Sequence, residues 1–155
     1  MDLTTKGSTL ITVSIKVDPE KIKNNYQHPS TDKRYPTGID RHDVSITAIG
    51  SGKDAKKQEG PDLDLNSDWG DVISFSFATT PDNSPYTASI YGIQYYSGDQ
   101  IFSEPETKGN SIELQLQRRG MTTLLLLFGI YTKDGNGQPK DLIGCFYLDP
   151  SITIR

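Results

Sequence analysis

The chain has 155 residues, a formal net charge of −4 and a pI near 5.1. That length fits one domain over residues 1–155 and buries roughly 70% of the surface its unfolded chain exposes, enough for a self-sufficient core. Its 16 lysines and arginines are scattered rather than clustered, which excludes a basic stripe for a nucleic-acid backbone. The longest apolar run, residues 124–130, is far short of the ~20 residues that a membrane helix needs, so no membrane span is expected. The start, M-D-L-T-T-K-G-S-T-L, lacks the cationic and apolar pattern of a secretory signal, and residence in the cytoplasm is the expectation.

Period-two alternation, the signature of half-buried strands, begins at residues 10–17, where Ile11, Val13, Ile15 and Val17 share a face. Asp18 as N-cap and Pro19 at the first helical position then predict a turn or two of helix reaching Asn25. A polar, proline-punctuated loop follows over residues 25–39. Alternation returns at 43–49 and, after the charged stretch 52–60, which reads as a solvated hairpin connection, at Leu63 and Leu65 with Asp62, Asp64 and Asn66 on the solvent face. Further strands are predicted at 71–78, 86–95, 111–117, 121–131, 142–148 and 151–155. The run at 124–130 reads as a strand buried on both faces, and Cys145, the single cysteine, as a buried thiol on a strand. Turn residues separate these segments, among them Gly70-Asp71 at the start of a core strand, Ser97-Gly98-Asp99 and Asp134-Gly135-Asn136-Gly137. The fold class is all-β: an antiparallel β-sandwich of about eight strands with one short helical turn after the first strand.

The residue inventory removes several chemistries. A blue-copper centre needs two histidines and a cysteine at one end of a sandwich, and no histidine or methionine follows Cys145. There is no G-x-S-x-G elbow, no phosphate-binding glycine loop before a helix and no histidine-centred triad, so the chain reads as non-enzymatic. Calcium is the metal this composition suits, because it takes six to eight oxygens of the kind irregular loops supply. Three clusters offer them: the loop with Asn24, Asn25, Asp32, Thr37, Asp40 and Asp43; Asp82-Asn83; and the segment 134–141. The last lacks a glutamate at the twelfth position of an EF-hand loop and reads as a hairpin tip. The first is stiffened by Pro29 and Pro36. Tyr26 and Tyr35 in that loop have the shape to stack on a sugar face, or to pack the loop onto the sheet.

The segment V-D-P-E-K-I-K-N-N-Y-Q-H-P-S-T-D-K-R-Y-P-T-G-I resembles the opening of the PixA/AidA family of bacterial inclusion body proteins, which typically read N-Y-x-N-P-S-x-D-x-x-x-P-T-x-I there. The blocks D-L-N-S-D-W-G-D at 64–71 and G-C-F-Y-L-D-P at 144–150 are similar to the family's D-L-N followed by G-D and to its G-Y-Y-Y-W-D-P. His28 departs from the usual Asn, and Cys145 and Leu148 stand where aromatics are usual. The resemblance implies a cytoplasmic β-sandwich protein able to form crystalline inclusions, some members being thought to be calcium-dependent lectins. It implies Asn25, Asp32 and Asp149 as metal ligands and Asn25 and Thr37, beside Tyr26 and Tyr35, as sugar contacts. Asp149 has a plainer reading, since Asp before Pro at a strand break is a common turn device.

Two functions follow as expectations. One is a calcium-dependent lectin that binds glycans and assembles as a homo-oligomer, raising weak single-site affinity through avidity. The other is an inclusion-forming storage or structural protein without a small ligand, although two methionines in the chain do not mark a sulfur store.

Overall fold

Strict alternation makes β1 (Leu10–Val17): Ile11, Val13, Ile15 and Val17 are buried while Leu10, Thr12 and Lys16 face water. The structure is a computed structural model that describes residues 10–40, 43–50, 57–59, 62–65, 69–79 and 83–154. On one side β1 takes β3 (Val44–Gly50) antiparallel, and on the other β6 (Val72–Thr79) parallel. Beyond β3 lies β4 (Lys57–Glu59); beyond β6 lie β9 (Ser111–Gln115) and then β8 (Glu106–Lys108). The first sheet therefore runs β4-β3-β1-β6-β9-β8.

The second sheet is organised on β10 (Gly120–Lys133). One edge of β10 carries β7 (Tyr86–Gly98); the other carries β11 (Pro139–Leu148) and then β12 (Ser151–Ile154). Beyond those, β2 (Thr37–Gly38) pairs β11 and β5 (Leu63–Leu65) pairs β12, both parallel. The register of β11 continues unbroken into β12: Leu126 faces Leu148 and Thr123 faces Ser151. Burial alternates straight through Asp149 and Pro150, and the Pro150 carbonyl accepts from Leu124 N at 3.3 Å. Asp149-Pro150 is thus an interruption in one strand rather than a turn, placed where proline's missing N–H coincides with the change of outer neighbour from β2 to β5. The Asp62 carboxylate fixes the restart by accepting from Ser151 N at 2.9 Å.

Between the sheets the core is closed by stacked rings, Phe77 on Phe128 at 4.2 Å and Phe128 on Phe146 at 5.6 Å. Such pairs add about 0.5–1.5 kcal/mol to the burial of their area. The helix α1 (Pro19–Asn25) is the predicted one: the Asp18 carboxylate accepts from Glu20 N and Lys21 N, Pro19 occupies the first turn, and Ile22 is fully buried. As the periodicity anticipated, the two sheets form a β-sandwich with the long strands in place. Twelve strands are described rather than about eight, because β2, β4, β5 and β8 hold two or three residues each. Three of the ten pairings are parallel, so both sheets are mixed. The predicted hairpin at 52–60 lies outside the described residues except for Lys57–Glu59, and Asp82 and Asn66 also lie outside them.

Truncating the central ring, Phe128→Ala, is expected to lower the unfolding free energy by about 3–5 kcal/mol in urea denaturation. Removing the helix cap with Asp18→Ala is expected to cost about 1 kcal/mol in the same assay.

Candidate functional site

The loop over residues 25–39 wraps the outer edge of β11. It leaves α1 on the inner side, where the Tyr26 ring meets Phe146 edge-on at 6.2 Å and packs against the core. The Tyr26 hydroxyl donates to Asp43 Oδ2 at 3.0 Å and accepts from Asp40 N at 2.9 Å. The chain then runs along the strand, with Cys145 N donating to the Ser30 carbonyl at 2.7 Å and, on the return, Ile39 N donating to the Tyr147 carbonyl at 3.1 Å. The approach is close because β11 carries glycine at the crossing: a Cβ on Gly144 would lie 2.9 Å from the Pro29 ring, which cannot swing away.

Within the loop, side chains bond to one another. Ser30 N donates to Thr37 Oγ1 at 3.0 Å, closing the segment 31–36 into a small cap. In that cap Asp32 Oδ1 accepts from Arg34 N and Nε, and Asp32 Oδ2 from the second guanidinium nitrogen at 3.0 Å. Those bonds hold the Asp32 carboxyl below its ordinary range. Of the residues predicted to bind metal or sugar, Asp32 and Asp149 come to one face of the second sheet: alternation along β11 points Cys145, Tyr147 and Asp149 outward in a row. Asp32 sits by Cys145, and Tyr147 stands between that end of the row and Asp149. Asn25, exposed at the end of α1, belongs to the inner side of the edge with Tyr26. Tyr35 projects into water at 71% exposure, with the Arg34 guanidinium 5.7 Å from its ring. Among the described residues no three His, Cys, Asp or Glu side chains gather as a metal-holding group. At the tip over 134–141, Asp134 Oδ1 accepts from Asn136 N and Gln138 N, and Gly137 takes the positive φ a hairpin requires.

Beneath the cap lies a group of residues that sequence reasoning did not join. The Tyr91 hydroxyl donates to the Lys33 carbonyl at 3.1 Å and lies beside the Cys145 thiol. The Lys33 ammonium sits 5.3 Å above the Tyr91 ring and 5.9 Å from that of Tyr131. Burial pushes the Tyr91 phenol up to about 12, with the Cys145 thiol, Tyr131 and Asp32 acting the same way. Burial likewise raises the Cys145 thiol, against the opposing pull of Lys33 and Tyr91. Tyr91 points to the outer face by plain alternation from the buried Ala88 and Ile90, and the bulge there in the pairing with β10, between Leu127 and Phe128, shifts only the alternation of the residues that follow. What alternation cannot show is that the distant Lys33 and Cys145 meet it there.

A covered, protonated thiol is expected to resist aromatic disulfide reagents in the native state and to react only as the loop opens. Gly144→Ala, by pushing Pro29 off β11, should speed that reaction and lower stability by about 1–3 kcal/mol. The sign for Tyr91 follows from its raised folded-state value: the stability it contributes is complete below about pH 10 and is lost as pH rises toward about 12. Alkaline melting curves should therefore fall more steeply for the native chain than for Tyr91→Phe across that window.

Comparison with known proteins fixes the family. The model of the PixA inclusion body protein family matches residues 9–110, more than half of the chain and the whole of the wrapping loop. A crystal structure of an inclusion body protein from Burkholderia cenocepacia superposes over 100% of both chains with a TM-score of 0.76 at 24% identity, a likeness of fold. A cysteine protease inhibitor from Entamoeba histolytica, 23% identical over 60% of this chain and 85% of its own, reaches a TM-score of only 0.28 and carries no argument. No curated protein matches the chain. The chain is a member of the PixA family of inclusion body proteins.

Proposed function

We propose that the protein is a self-associating, inclusion-forming structural or storage protein that works without catalysis and collects in the cytoplasm. The observation that carries this reading, beside family membership, is the economy of the wrapping loop. Thr37 Oγ1, both Asp32 carboxylate oxygens and the Tyr26 hydroxyl each have a partner in or beside the loop, so these polar atoms serve to hold the loop's own shape while its backbone fastens it to β11.

Sedimentation velocity over a concentration series tests it: concentration-dependent association of the purified chain is expected, and a single monomeric species up to the solubility limit would reject it. A second reading, a calcium-dependent lectin using Asn25, Tyr26, Asp32, Tyr35, Thr37 and Asp149, draws its support from Tyr35, an aromatic ring presented to solvent on a fastened loop. A ligand that binds only the native state raises the melting midpoint. The leading reading expects calcium to leave the midpoint unchanged and a glycan array to stay blank. The lectin reading expects a chelator-sensitive glycan signal and a calcium shift that Asp32→Ala or Asp149→Ala removes.

A further inference from the structure

A strand at the edge of a sheet presents unpaired N–H and C=O groups, and proteins that must stay apart blunt such edges with short strands or charge. This fold does so at four of its edges. In the first sheet β4 has only three residues, and β8, which reads E-T-K, has three with charges at both ends. In the second, β2 has two residues, and β5 has three with Asp64 in the middle.

β7 is different. Among the described residues it pairs only with β10; it spans 13 residues and reads Y-T-A-S-I-Y-G-I-Q-Y-Y-S-G without a single charge. Among the described residues no strand pairs with its far edge. Its last five residues are exposed, Tyr96 at 66% and Tyr95 at 37%. Two register shifts against β10, at Tyr91 and Tyr96, delimit 92–95 as the regular stretch between them.

We propose that this edge is where two copies of the chain meet, β7 lying antiparallel to β7 of the second copy about a two-fold axis. The inference rests on the self-association reading and adds the surface and the partner. A second copy fits better than an unrelated chain for two reasons. Antiparallel pairing of a strand with itself is isologous, so every donor on one edge meets an acceptor on the other without any further sequence requirement. Each copy also carries −4 overall, so the approach least opposed by like charge is through a segment that carries none. Exposed tyrosines brought across from the partner strand are among the side chains that stabilise such pairs.

The test adds charge to the edge with Gln94→Lys and Tyr96→Lys together, and the same charge elsewhere on the exposed surface with Gln117→Lys and Gln138→Lys together. All three proteins are sedimented over one concentration series. The expected result is association of the native chain and of the control variant, with loss of the associated species for the edge variant. Amide hydrogen exchange of the native chain alone, at low and high concentration, gives an answer even where the edge variant fails to fold. Slower exchange at high concentration should appear in Tyr86–Gly98. Equal association of the edge variant, or concentration-dependent protection confined to other segments, overturns the β7 assignment and leaves self-association standing. A native chain that stays monomeric throughout overturns both.

Discussion

The structure depends on one constraint: β10 passes through the second sheet with five consecutive residues, Leu126 to Ile130, hidden from water on both faces. One face is covered by the first sheet through the Phe77, Phe128 and Phe146 stack. A two-layer sandwich leaves the other face to solvent unless something is laid over it. Here the cover is built from the outward rings of Tyr91, Tyr131 and Tyr147 and from the polar loop that folds around the edge of β11. That is why a segment with no regular structure of its own is bonded so thoroughly, and why Gly144 must be small where the loop crosses.

Much of this was legible in the residues. Strands such as β1 and β6 declare themselves because strict alternation over eight positions fits a half-buried strand and no helix, and α1 because Asp18 and Pro19 act locally. The run at 124–130 was readable as doubly buried from its lack of alternation. What could not be read depended on partners distant in sequence. β2 is too short to show a period and exists only because β11 lies beside it, while β5 shows its alternation at Leu63 and Leu65 but not its parallel pairing with β12. The parallel pairing of β1 with β6 is a choice of topology that neither strand encodes.

The loop shows the same division at the level of single atoms. Asp32 has the chemistry of a metal ligand and stands in a loop of the right composition, yet Arg34, two residues on, occupies both of its oxygens. Tyr26 offered stacking or packing, and its contacts with Phe146, Asp40 and Asp43 use it for packing. Asp149-Pro150 has the composition of a turn, but the register held by β10 carries the strand through it. Composition names what a side chain is able to do; neighbours in space choose among the options.

The wrapping loop has a further consequence for the order in which the molecule can be built. Its anchor points on β11 lie more than one hundred residues later in the chain, since Ser30 waits for Cys145 and Ile39 for Tyr147. Closing contacts across so long a separation is slow relative to forming hairpins. During synthesis the first sheet can assemble around β1 while this early segment still has nothing to hold, so the piece of chain made among the first is fastened among the last. Until then the outer face of β10 is bare, and a crowded nascent population passes through a stage that is stickier than the finished protein.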